Sequence, residues 1–194
     1  MKASTWLLII ATSFLSSGFS DKGNWVIDPE SKLAIYGSTN VNKFTCRMDC
    51  YVGTDTLKFV KNYAACELQF SRNLMTIPIR SFDCGSKQIS KDFWKTLKSE
   101  TYPKLDINFR SLNNLNIKDN GHIRGVVDIT LAGVTARYTI LYVITLKNKN
   151  TILLKGTHSV NFADFDLEAP EKLQGLIKVN EELNVEFNLV LKEV

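Results

Sequence analysis

The chain of 194 residues lacks an apolar run long enough to cross a bilayer comfortably. Its one sustained apolar stretch, residues 6–15, is shorter than the ~20 residues a membrane helix needs. Ten glycines and four prolines are too few for a low-complexity or collagen-like chain. Charge of one sign is also scarce. A net charge of +4 does not build the concentrated basic field that nucleic-acid binding requires, so no nucleic-acid partner is expected. Only two histidines are present, His122 and His158. The GxSxG, HExxH, P-loop and GxGxxG patterns are all missing, and with them the usual signatures of hydrolase, metalloprotease, nucleotide and dinucleotide chemistry.

What is present reads as one folded domain behind an export address. The apolar share of 44% and charged share of 23% are near the globular average. Lys2 precedes the apolar stretch, and Ser16, Ser17 and Gly18 follow it, then Phe19 and Ser20, with Gly18 and Ser20 at the small positions of a cleavage site. That order predicts a signal peptide over residues 1–20, cleaved after Ser20. No cysteine lies near the cleavage site for a lipid anchor. The remaining domain, residues 22–194, is expected to be periplasmic or secreted.

Export gives the four cysteines a meaning. An even number in an oxidising compartment predicts disulfides. If Cys46 and Cys50 share a strand, their Cα atoms stand ~13 Å apart, against a ~7 Å limit for bonding. If strand 44–51 folds onto strand 65–71, Cys50 faces Cys66, which leaves Cys46 for Cys84. The rivals are a zinc site, for which the CxxC…CxxC spacing is missing, and a catalytic thiol. A Cys46–His158–Asp164 triad can be drawn, but no spacing supports it. No catalytic or metal residue is therefore assigned, and no cofactor apart from a bound lipid.

Period-two alternation dominates from Lys32 onward. Leu33 and Ile35; Leu105, Ile107 and Phe109; Ile123 to Leu131; Val134 to Leu146; Ile152 to Val160; and Leu183 to Leu189 each alternate with more polar neighbours. Such a series predicts half-buried antiparallel strands. Asp119-Asn120-Gly121, Ala132-Gly133 and residues 147–150 read as hairpin turns. A sheet this large with one apolar face must close or stack. One segment breaks the rhythm. Ile89, Phe93 and Leu97 recur every four residues, which predicts a short helix over 90–99 capped by Ser90. Residues 163–182 lack clean alternation and read as a long loop or lid.

Four stretches, taken in order, carry a resemblance. Residues 25–44 include Trp25, Asp28, Ser31, Gly37, Asn40 and Phe44. Asp83-Cys84-Gly85 leads through the helical segment to Tyr102-Pro103 and Phe109. Gly125, Thr130, Leu131, Gly133, Thr135, Arg137 and Tyr138 form the third, and Asp164-Phe165 to Pro170 with residues 175–179 the fourth. Together they resemble the YceI-like family of exported bacterial polyisoprenoid-binding proteins, over nearly the whole mature chain. The resemblance implies an all-β fold: a single antiparallel lipocalin-like barrel of about eight strands with one helix by the opening. It also implies a non-catalytic carrier whose lumen holds a long isoprenoid-type amphiphile, such as a polyprenyl diphosphate or a quinone. The four cysteines depart from the simplest members.

Burial of each methylene is worth ~0.8 kcal/mol, so hydrophobicity alone can retain such a tail. One parity of each strand supplies the expected lining: Ile35, Phe44, Phe109, Val127, Ile129, Tyr138, Tyr142, Leu154, His158 and Phe187. Phe93 and Trp94 on the helix and Phe165 on the loop are expected at the mouth, where transient membrane contact is possible. Arg137, Arg80 and Arg110 are the candidate cations for an anionic head. Asp28, Ser31, Thr39 and Asn40 are expected to close turns. The competing expectation is a barrel filled by its own side chains, acting as a structural or interaction protein.

Overall fold

A computed structural model describes residues 21–113 and 121–194. The signal-peptide expectation for 1–20 and most of the Asp119-Asn120-Gly121 turn lie outside the described residues. The strands are β1 (Lys22–Ile27), β2 (Lys32–Ser38), β3 (Lys43–Met48), β4 (Thr56–Asn62), β5 (Glu67–Arg72), β6 (Leu74–Pro78), β7 (Lys104–Asn113), β8 (His122–Leu131), β9 (Val134–Asn148), β10 (Thr151–Asn161), β11 (Glu171–Lys172), β12 (Ile177–Lys178) and β13 (Glu182–Glu193). One helix, α1 (Lys87–Thr96), lies between β6 and β7.

Eight strands close on themselves in the order β1-β4-β5-β7-β8-β9-β10-β13, and β13 returns to β1. Among the described residues, the expected all-β antiparallel barrel with one short helix is what forms. β13 completes the closure with two partners. Its C-terminal part pairs with β1, from Trp25↔Glu193 to Ile27↔Leu191. Its N-terminal part pairs with β2, from Asn184↔Tyr36 to Asn188↔Lys32. β1 and β2 thus form one wall interrupted by a turn. Asp28 closes that turn by accepting from the Glu30 amide at 2.9 Å. The buried Ser31 hydroxyl accepts from the Val190 amide at 2.9 Å.

Alternation sends one residue set inward. Leu105, Ile107 and Phe109 on β7, Ile140, Tyr142 and Ile144 on β9, and Leu183, Val185 and Phe187 on β13 are all buried. Ala132 and Gly133 join β8 to β9 with φ of 51° and 84°, the left-handed pair that a two-residue hairpin needs.

Three expectations need correction. The helix begins three residues early, because Ser86 rather than Ser90 caps it, its hydroxyl accepting from the Ile89 amide at 3.3 Å. Ser90 is buried instead and accepts from the Cys84 amide at 3.0 Å. Residues 163–182 are more ordered than a loop, holding a 3-10 turn at Phe162–Phe165 and the β11–β12 hairpin. Finally, Cys46 and Cys84 form a disulfide, but Cys50 and Cys66 are free and exposed. The expected Cys50–Cys66 register required β3 to pair with β5. β4 intervenes and takes β5 itself, with Phe59 opposite Phe70. Cys66 falls in the resulting hairpin turn at φ 52°, and Cys50 lies beyond the end of β3.

Candidate functional site

The end of the barrel bearing α1 is its mouth. Three elements meet there: the β2–β3 turn, α1 and the β11–β12 hairpin. The Cys46–Cys84 disulfide and a two-way backbone bridge between Arg47 and Asp83, both bonds 2.8 Å, fasten the start of the helix segment to β3. Phe93 on α1 then packs on Phe82 at 5.7 Å between ring centroids. The hairpin is held to the β2–β3 turn by Asn40. Its side-chain amide donates to the Leu176 carbonyl at 2.9 Å and accepts from the Lys178 amide at 3.0 Å. Across the mouth, Lys172 of the hairpin pairs with Asp92 of α1 at 2.8 Å. Partial burial works against the Asp92 charge, but hydrogen bonds from Lys172 and Gln88 outweigh it and hold its carboxyl below the ordinary range.

Two cavities lie under this strap. The outer one is a groove of about 340 Å³ between α1, the hairpin and the β2–β3 turn. Phe44, Ile89, Phe93, Phe162, Pro170, Ile177, Val179 and Leu183 supply its apolar surface, and Lys43, Asp92 and Lys172 its polar rim. The inner one is a lumen of about 60 Å³, lined almost wholly by apolar side chains including Leu33, Ile35, Ile107, Ile129, Val185 and Phe187. Phe93, Phe162 and Leu183 border both, where the two cavities adjoin.

The residues singled out from sequence divide into three groups. Ile35, Ile129, Phe165 and Phe187 line the lumen, Phe44 lines the groove, and Phe93 lines both. Phe109, Val127, Tyr142 and Leu154 point inward but border neither cavity; they are packed core. Tyr138 and His158 also stand outside the two cavities. Their rings meet at 4.9 Å, and the Tyr138 hydroxyl donates to Asp164 Oδ2 at 2.8 Å. Burial pulls the His158 imidazole below its ordinary pKa, with Asp164 opposing. Trp94 borders neither cavity; it packs against the core, donating to the Phe82 carbonyl at 3.3 Å with Arg80 over its ring.

The three candidate arginines also have other partners. Arg110 and Arg137 both bind Asp128 on the outer wall, at 2.7 and 2.6 Å, and Arg80 pairs with Glu100 at 3.1 Å. The cations at the groove are Lys43 and Lys172. Sequence reasoning also missed Phe162 and Leu183. Both were findable, since each continues or opens the inward parity of β10 or β13. Ile177 and Val179 lie on strands too short to show a period. Among the described residues no cluster of His, Cys, Asp and Glu could hold a metal ion, and no helix is long and apolar enough to cross a membrane.

No protein-family model matches the chain, and no curated protein matches its sequence. Solved structures do. BcnA from Burkholderia cenocepacia aligns at a TM-score of 0.63 and 17% identity, over 84% of this chain and 98% of that one. A polyisoprenoid binding domain from Saccharophagus degradans, implicated in plant cell wall breakdown, aligns at 0.59 and 13%, over 88% and 98%. A Campylobacter jejuni YceI protein aligns at 0.51 and 14%, over 100% and 94%. At these identities the likeness is one of fold: the chain has the barrel of YceI-like proteins.

Proposed function

We propose that this chain is an exported carrier that binds an isoprenoid-type amphiphile at the mouth of its barrel and performs no chemistry on it. The observation that carries the reading is the groove: about 340 Å³, apolar within, lysine-bearing at its rim, and backed by an apolar lumen. Concave apolar sites with a few polar groups are the usual form of a small-molecule site. The fold shared with a polyisoprenoid binding domain favours an isoprenoid over other apolar chains. The Cys46–Cys84 disulfide and the pattern of residues 1–20 support export to an oxidising compartment. Exposed apolar tips around the mouth, Val41, Leu173 and Leu176, suit brief contact with a membrane during loading.

The test is saturable binding of an environment-sensitive apolar fluorophore, displaced by isoprenoid alcohols. Ile177→Trp should fill the groove and abolish the displaceable signal while leaving thermal melting unchanged. Undiminished binding in that variant would move the site elsewhere, and no saturable binding in the parent protein would end the carrier reading. One observation favours a second reading. The lumen, at about 60 Å³, is mostly filled by side chains, as in a barrel that serves as a structural or interaction module. That reading expects no binding in the same titration.

A further inference from the structure

We infer that the ligand is a short-chain member of its class, with an apolar tail of about ten to fifteen carbons, because an aromatic floor closes the barrel partway along its length. The inference rests on the carrier reading above and concerns the same site. Below the lumen the rings of Trp25, Phe59, Phe70 and Phe109 form a connected stack. Trp25 lies 4.4 Å from Phe59 and 6.0 Å from Phe70, and Phe70 lies 6.0 Å from Phe109. Tyr142 packs on Phe187 at 6.4 Å. Two glycines make room for the tyrosine. A Cβ at Gly125 would stand 2.7 Å from the Tyr142 ring, and one at Gly156 would stand 2.6 Å from it. The ring therefore lies against two strands that carry no side chain at those positions. Of these six rings only Phe187 borders the lumen, and none borders the groove.

Volume then sets length. A water-sized group takes ~30 Å³ of liquid, and a methylene is of similar size. The groove admits on the order of ten such groups and the lumen about two. A tail of two to three isoprene units fills both, and further units remain in water. Each methylene moved out of water strengthens binding about fourfold, and one left in water adds nothing. Affinity should therefore climb with length and then stop.

The experiment is a titration of the mature protein with prenyl alcohols of two, three, four and eight isoprene units. From two to three units affinity should rise at least about tenfold, and from three to eight it should change less than about threefold. Phe187→Ala, and the gentler Phe187→Leu in case the first does not fold, should deepen the lumen and move the plateau to a longer chain. Affinity that keeps rising through eight units in the parent protein would overturn the floor, as would an unmoved plateau in a folded Phe187 variant. Saturable binding at no length would overturn the carrier reading itself, and the length limit with it.

Discussion

Asn40 places both halves of its amide on the mouth hairpin, donating to the Leu176 carbonyl and accepting from the Lys178 amide. Hydrogen bonds of this kind net roughly 0.5–1.5 kcal/mol each. Asn40→Ala should therefore speed hydrogen exchange of amides in residues 171–180 by about tenfold or more and leave the barrel strands unchanged. Equal protection in both proteins would show that the hairpin is held by other contacts. Asp128 gives a second residue-scale test. Hydrogen bonding from Arg137, opposed by burial and reinforced by Arg110, holds its carboxyl at about 2 against an ordinary 3.8. A depressed acid binds fewer protons when folded, so its stabilisation is complete above pH ~4 and is lost as pH falls toward 2. Both arginines are half-exposed or more, which limits the contribution to about 1–2 kcal/mol. Asp128→Asn should lower the unfolding free energy by that amount at neutral pH, and the gap should close between pH 4 and 2. A gap that persists at pH 2 would assign the effect to packing instead.

At the scale of elements, the strap over the mouth depends on α1 starting where it does. Ser86→Ala should cost about 1 kcal/mol in a melting experiment, whereas a helix capped at Ser90 would not register the change. The helix was legible as an amphipathic repeat, but its start was not. Ser86 and Ser90 are both acceptable caps, and only the tertiary hydrogen bonds of Ser90 to the Cys84–Asp83 segment separate them. Long strands were legible for a different reason. β8, β9, β10 and β13 run for ten residues or more, so their alternation repeats often enough to be seen. β4 and β6 span seven and five residues, and the β4–β5 pairing carries a register shift near Phe59. Overlooking β4 is what misassigned Cys50 and Cys66. The groove was the least legible feature, because three short segments far apart in sequence build it.

For the whole molecule, closure of β13 on β1 and one disulfide hold the barrel and its mouth together. The bond between Cys46 and Cys84 spans 38 residues, which in the chain-entropy view corresponds to about 4 kcal/mol. Mild reduction should lower the melting temperature markedly. Thiol titration of the unfolded protein should find two reactive groups before reduction, Cys50 and Cys66, and four after. No reactive thiols before reduction would mean that these two cysteines are paired as well. The most direct test of the carrier function is native mass spectrometry of the mature protein purified from its own host, with organic extraction of whatever is bound. The expected result is a single stoichiometric adduct that extracts as an apolar isoprenoid chain. A bare mass that stays bare after incubation with isoprenoid and quinone lipids would contradict it.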